Sequence, residues 1–361
     1  MKTQRPIVLP LLALPALFAF SSRGDEVRFA PEAGFTLTKT FSTAEEMTLD
    51  EMAVVVNGEE QDPEMMGMDQ DISSSMEVVL VDEYVAVSDG RPEKLSRTYD
   101  TLGSAMTMKM TNPMMGDMSI EMTGESELEG ETVLFSWNGD EYDVEFAEDG
   151  GADEELLTDL DEDTDFRDFL PGVAVDEGDT WEVSPEALRP VLAFGGSLKF
   201  ENETEDSADA MMGFGNTSTM PPPDAFLGDI DGKINAEYRG TREEDGANVA
   251  VIQLSVEVTS AKDMTDFFTE AMDDAEMPPE MDMEMSYDSV DMEFELSGEA
   301  TLLWSLEGAH VHSFAMEGEV STILDMAMAM SMGGMGDMEF EVGLVMKGSK
   351  TISYAASSSG E

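Results

Sequence analysis

Apolar and polar residues alternate along most of this chain with period two. In "MEFELSGEATLLWSLEG" the even positions are Met292, Phe294, Leu296, Gly298, Ala300, Leu302, Trp304 and Leu306, and the odd positions are mostly Glu, Ser and Thr. That is the pattern of a strand with one buried face. The same parity returns through His310, Phe314, Met316, Val320, Leu324 and Met326 to Met332, and again from Met338 to Met346. Residues 292–347 therefore predict three long antiparallel strands.

Opposed residues of a hairpin share a face, so an even–even pairing needs an odd loop. A three-residue loop at 307–309 predicts Leu306 opposite His310 and Trp304 opposite His312. A five-residue loop at 333–337 predicts Met332 opposite Met338 and Met328 opposite Val342. Parity breaks once, because Met281, Met283 and Met285 are odd. A bulge near Asp288–Asp291 restores it. The segment "SAMTMKMTNPMMGDMSIEMTG" predicts another hairpin, with Met106, Met108 and Met110 facing Met118, Ile120 and Met122. "GFTLTKTF", "SMEVVLVDEYVAV", "TVLFSW" and "DGANVAVIQLSVEV" add strands.

Helical spacing is sparse. Residues 152–172 place Leu156, Leu157, Leu160, Phe166, Phe169 and Leu170 at helical intervals and predict an acidic helix ending at Pro171-Gly172. "SPEALRPVLAF" predicts a short helix capped by Ser184 with Pro185 at its first position. "DMTDFFTEAMDDAEMPPE" predicts a third, ended by Pro278-Pro279. The fold class is mainly β (α+β): long twisted antiparallel meanders forming a curved sheet or half-barrel, with a few short helices.

The organisation expected is a signal peptide over 1–21, a first β-rich half over 22–200 with short helices near 152–194, a linker or long loop over 201–225, a second β-rich half over 226–355, and a disordered tail over 356–361. The signal reading rests on Lys2 and Arg5, the apolar run 6–20, and Ala19 and Ser21 at the cleavage boundary. No later stretch is long and apolar enough for a membrane helix. The expected location is secreted or periplasmic, soluble after cleavage.

Composition narrows the chemistry. Eighty acids against 18 Lys and Arg give a formal net charge of −62, which repels nucleic acid and anionic membranes. With no cysteine, disulfides, thiol catalysis, zinc–thiolate sites and iron–sulfur clusters are excluded. The chain carries no G-x-S-x-G, H-E-x-x-H, Walker A or G-x-G-x-x-G pattern. No enzyme activity and no cofactor are expected. Asp159, Asp161, Asp163 and Asp165 alternate like calcium ligands. An EF-hand counted from Asp159 needs Gly at 164 and Glu at 170, where Thr164 and Leu170 stand.

The 32 methionines admit two readings. Alternating ones fill a sheet face as flexible thioether. Those in Gly- and Asp-bearing segments, such as Met65, Met66, Met68, Met114, Met115, Met211, Met212 and Met335, have no strand face to fill. Soft thioethers suit Cu(I), and M-x-M and M-x-x-M spacings resemble loops of periplasmic copper-handling proteins. The copper candidates are His310, His312, Met316, Met114, Met115, Met118 and Met335. His310 and His312 are the only histidines and share a strand face about 7 Å apart. Two functions follow: an exported, non-enzymatic binding or structural protein holding a lipid-like apolar ligand on a Met-rich sheet face, or a periplasmic Met-rich copper-binding or oxidant-buffering protein.

"LPGVAVDEGDTWEV", residues 170–183, contains V-x-x-G-D-T-W. It resembles a segment of uncharacterised, exported, β-rich bacterial proteins, where it follows a short acidic helix ending in Leu-Pro. "LEGETVLFSWNGDEYDVEF", 128–146, is similar to the same group. The resemblance implies location and architecture. A further analogy, at the level of fold alone, is to periplasmic lipoprotein-carrier proteins, whose half-barrel closes over helices.

Overall fold

The computed structural model describes residues 24–61, 69–112, 116–148, 152–204, 219–220, 223–274, 283–332 and 336–358. Its strands are β1 (Phe35–Val56), β2 (Glu59–Glu60), β3 (Asp69–Ser88), β4 (Arg91–Asn112), β5 (Gly116–Glu125), β6 (Thr132–Trp137), β7 (Tyr142–Phe146), β8 (Thr180–Val183), β9 (Phe200–Thr204), β10 (Thr219–Met220), β11 (Ile230–Glu244), β12 (Ala247–Asp263), β13 (Met283–Ser305), β14 (His310–Met332) and β15 (Gly336–Ser358). All join one antiparallel sheet. Its main path runs β10-β9-β5-β4-β3-β1-β15-β14-β13-β12-β11-β8 and does not close into a barrel. The first long strand pairs the last, Phe41 opposite Tyr354, so both halves of the chain share one sheet.

The long strands form because alternation is sustained and turn chemistry stands where they must reverse. Asp245 (φ 48°) and Gly246 (φ 85°) make the β11–β12 turn, and both central residues need the left-handed region that Asp and Gly tolerate. The expected bulge lies between Tyr287 and Ser289, and it carries the inward face from odd to even positions. The β4–β5 pairing is as expected, with Met106 opposite Met122, Met108 opposite Ile120 and Met110 opposite Met118.

Two hairpin registers differ from expectation. At the β13–β14 turn Ser305 faces His310 and Trp304 faces Val311, and the register shifts between Leu303 and Trp304. The bulge puts Val311 fully inside and leaves His312 half-buried. At the β14–β15 turn the pairs are Met332–Gly336, Met330–Met338, Met328–Phe340 and Met326–Val342. This is two residues tighter than expected, so parity and face survive while partners change. Residues 356–358, expected in a disordered tail, belong to β15, where Ser358 pairs with Leu37, and 359–361 lie outside the described residues. The 201–225 segment opens and closes with pairing, Met122 facing Thr204 and Phe200 facing Met220.

The acidic helix expected over 152–172 is absent. In its place are single 3₁₀ turns at Glu154–Leu157 and Arg167–Phe169, with irregular chain between them. The reason is local competition for backbone donors. Asp161 Oδ1 accepts from the Asp163 amide at 2.9 Å and Asp163 Oδ1 from the Asp165 amide at 2.8 Å, each an Asx turn that helix cannot accommodate. Asp159 and Phe166 stand at φ 57° and 54°. After Pro185 the chain makes a 3₁₀ turn (Pro185–Leu188) and then α1 (Arg189–Leu192). Ser184 gives no side-chain cap bond. α2 (Thr265–Asp274) follows β12 as expected; Pro278-Pro279 lies outside the described residues. No helix among the described residues is long and apolar enough to cross a membrane.

Successive rows of side chains cross the inner face. The row Leu302–Phe314–Tyr354–Phe41–Val78–Leu102 is fully buried. It is covered by Val27 and Phe29 and by Phe166, Phe169, Val191 and Phe194 from the 152–200 segment. Further along the strands comes a row of small and paired residues, Gly298–Gly318–Lys350–Glu45. A Cβ on Gly298 would meet the Glu317 carbonyl of the facing strand, so only glycine permits this close approach of the two backbones. Beyond that waist the main core continues on β11–β13 through Ile230, Val258 and Leu296, while on β14, β15 and β1 a small cluster of Met47, Val320 and Met346 begins.

Candidate functional site: an open methionine face beyond a buried charge cluster

The covered half is tied down by charge. Lys39, Asp82 and Arg97 occupy inward positions of β1, β3 and β4 and are completely buried. Arg97 grips Asp82 through two bonds, Nε to Oδ1 at 2.8 Å and Nη2 to Oδ2 at 2.9 Å. It also donates to the carbonyls of Asp161 (2.7 Å) and Glu162 (2.9 Å). Lys39 Nζ donates to Asp82 (2.7 Å), Thr164 (2.7 Å) and Asp165 (2.8 Å). Tyr84 donates to Asp165 at 2.6 Å. The sheet therefore supplies two cations that satisfy the carbonyls and carboxylates of an acidic loop which cannot form helix. Asp165 Oδ2 and the hydroxyls of Tyr99 and Tyr354 are buried with no partner, an arrangement that raises the cost of disturbing the cluster.

The electrostatics follow. Burial pushes the Asp82 carboxyl up, but Arg97 and Lys39 outweigh it and hold it at about 2. Burial raises Glu162 to about 7 against the pull of Arg167, whose guanidinium lies 2.8 Å away. Burial raises Tyr99 to about 12 and lowers His310. Beside this cluster an open cleft of about 670 Å³ is lined by Phe29, Val87, Arg167 and Val173. Arg167 is committed there to Glu162 and Asp163.

Among the described residues no loop layer covers the other half of the same face, although Val290 and Val54 within it are buried. Its rows read Met292–Leu324–Leu344–Met52, then Val290–Met326–Val342–Val54, then Tyr287–Met328–Phe340–Val56, then Met285–Met330–Met338. Met285, Met326, Met328, Met330 and Met338 are half-buried, where the alternation alone predicts burial. Among the described residues, the segment that seals Phe41 and Phe314 does not continue over these rows. Across β1 the surface continues to β3, β4 and β5 through Ile72, Met108 and Ile120. α2 reaches one margin, with the Phe268 ring 5.7 Å from that of Tyr287. The reverse face of these strands presents exposed acids, among them Asp71, Glu121, Asp291, Asp325, Glu339 and Glu341.

The proposed copper ligands are not brought together. His310 is buried, its Nδ1 2.6 Å from the Val311 carbonyl oxygen and its ring 5.2 Å from Phe35. Met316 is 2% exposed and core-facing, opposite Ala300 and Ile352. It is six residues from His310 on one strand, roughly 20 Å. Met118 pairs with Met110 five strands away, roughly 24 Å. Met114, Met115 and Met335 lie outside the described residues, as do Met65, Met66, Met68, Met211 and Met212. Among the described residues no three His, Asp or Glu side chains form a metal site.

The V-x-x-G-D-T-W segment has a structural job. Gly178 (φ 93°) turns the chain, β8 starts at Thr180, and Trp181 Nε1 donates to the Phe169 carbonyl at 3.0 Å. That bond ties the covering loop to the edge of the sheet. No family model matches this chain, and no curated protein is significantly similar to it.

Proposed function

We propose that this chain is an exported, non-enzymatic binding protein that holds a lipid-like apolar ligand against the methionine-rich half of its sheet. One observation carries the reading. A single inner face continues past the end of its own covering layer, and beyond that point it remains apolar. A contiguous apolar surface that is only half-buried suits an interaction site, and thioethers adapt to ligands of irregular shape. Export is supported by the charged, apolar and small-residue order of residues 1–21.

Two measurements test it. Native mass spectrometry of protein recovered from its exported compartment should show a co-purified apolar molecule. Titration with an environment-sensitive apolar dye should give saturable binding that Met326→Asp or Met328→Asp abolishes, because a carboxylate on the face must be desolvated by any apolar occupant. Dye binding that both variants retain would overturn the reading.

A further inference from the structure

Met285, Met330 and Met338 form one lateral row. Met285 faces Met330 across the β13–β14 pairing, and Met330 faces Met338 across β14–β15. All three are half-buried, so none is locked into a core. Adjacent strands lie about 4.8 Å apart, and directly opposed Cβ atoms about 4.5–5.5 Å. Methionine has three rotatable bonds before its methyl group. The two outer side chains can therefore lean toward the middle one and bring three sulfurs to a common point. No other row of this face, among the described residues, puts thioethers on three consecutive strands.

We infer that this row is a three-thioether site for a soft monovalent cation of the Cu(I) class. Thioether donors select Cu(I) over the harder divalent ions, and the chain has no cysteine to compete for it. The next row, Tyr287–Met328–Phe340, floors the site with one further thioether between two rings. The net charge of −62 raises the local concentration of any cation. The acids Glu339 and Glu341 stand on the reverse face of β15, so they attract the ion without replacing sulfur as its ligand. The site is independent of the apolar-ligand reading, although the two share a surface.

Replacing Met with Leu separates the two. Leucine keeps the apolar volume and removes the sulfur. Under anaerobic conditions the full chain is titrated with Cu(I) held by a chromophoric chelator. Wild type should withdraw Cu(I) from the chelate. The triple variant Met285→Leu, Met330→Leu, Met338→Leu should withdraw at least one equivalent less, with unchanged circular dichroism and unchanged binding of the apolar dye. Met330→Leu alone removes the middle donor and should weaken the site by about tenfold or more, the scale on which metal sites respond even to outer-shell changes. Met326→Leu, two rows away, should leave the affinity as it was. Wild-type protein that withdraws no Cu(I), or Leu variants that withdraw as much as wild type, would overturn the site. Wild-type Cu(I) uptake without saturable dye binding would instead count against the apolar-ligand reading.

Discussion

The two halves of the inner face are made of the same strands and end differently. Near the Lys39–Asp82–Arg97 cluster, β1, β3, β4, β14 and β15 meet a layer of loop and 3₁₀ turn, and Phe41, Tyr84 and Phe314 are sealed. Past the Gly298–Gly318 row the same strands carry Met326, Met328 and Met330, and among the described residues no layer lies above them. Antiparallel pairing runs through both halves, with register shifts in each, at Val79/Leu80 and Tyr84/Ala86 in one and at Leu49/Glu51 and Tyr287/Ser289 in the other. The difference lies in what the sheet offers a covering segment: buried cations that can satisfy loop carbonyls in one half, and thioethers that offer a loop nothing polar in the other. An irregular loop can be buried only where its backbone groups find partners. Among the described residues no loop is buried on the methionine half.

The contrast breaks most directly at Arg97. Arg97→Leu should leave Asp82 and two loop carbonyls short of donors and cost about 3–5 kcal/mol, the scale for halving a buried ion pair. Urea unfolding measures it. A loss below about 1 kcal/mol would mean that the cluster does not hold the loop.

Methionine to aspartate on one strand compares the halves side by side. Met316, 2% exposed, and Met328, half-buried, lie on the same face of β14. Met316→Asp buries an unpaired charge and should cost about 3 kcal/mol or more. Met328→Asp keeps its carboxylate hydrated and should cost about 1 kcal/mol. Equal losses would show that the outer half is covered after all.

The pH dependence isolates the loop. Glu162 is raised to about 7 from an ordinary 4.5, so the folded state holds its proton more tightly than the unfolded chain. The resulting stability is fully present below about pH 4.5 and is lost as pH rises through 7. Its size is no more than about 3 kcal/mol. Glu162→Gln should flatten the stability profile across that window. Asp82, held at about 2, works in the opposite sense: its contribution is present above its ordinary 3.8 and is lost as pH falls toward 2. A Gln variant with the wild-type slope between pH 4.5 and 7 would place the titration elsewhere.

Much of the sheet was legible because alternation is a local signal. The faces of β12 to β15, the β4–β5 methionine pairs and the bulge at Asp288 all follow from parity. Turn geometry was less legible, since loop lengths of three and five residues preserve parity alike and only the structure distinguishes Met332–Gly336 from Met332–Met338. The charge cluster left a signal that went unread. Lys39 interrupts the inward stripe Leu37, Lys39, Phe41; Asp82 interrupts Leu80, Asp82, Tyr84; Arg97 interrupts Leu95, Arg97, Tyr99. Three charges at buried parity, in strands that pair with one another, must neutralise each other or a fourth element. The helix expected over 152–172 failed for the same reason. Its leucine spacing is real, but its aspartates cap local amides and its carbonyls are taken by Arg97. Helical periodicity records neither effect. The copper candidates that are described, His310, Met316 and Met118, are separated by strand length and strand spacing, which ligand type alone does not record.

The smallest effect concerns the reverse face. Asp263 faces Asp291 across β12–β13, and Asp291 faces Asp325 across β13–β14, so three exposed acids stand in one row on adjacent strands. Like charges directly opposite one another are destabilising by a few tenths of a kcal/mol to about 1 kcal/mol. Asp263 is also held ionised, since its pKa is lowered by its bonds with Thr265. Salt shortens the range of the repulsion, from about 10 Å at 0.1 M to about 3 Å at 1 M. The wild-type melting temperature should therefore rise as NaCl goes from low to molar concentration. Asp325→Asn ends the Asp291–Asp325 repulsion without changing the size of the side chain. It should stabilise the protein by about 0.5 kcal/mol at low salt, and the gain should shrink as NaCl is added. A gain that persists unchanged at 1 M NaCl would have to come from hydrogen bonding or packing, and a loss would show that the Asp325 carboxylate has a favourable partner that outweighs its acidic neighbour.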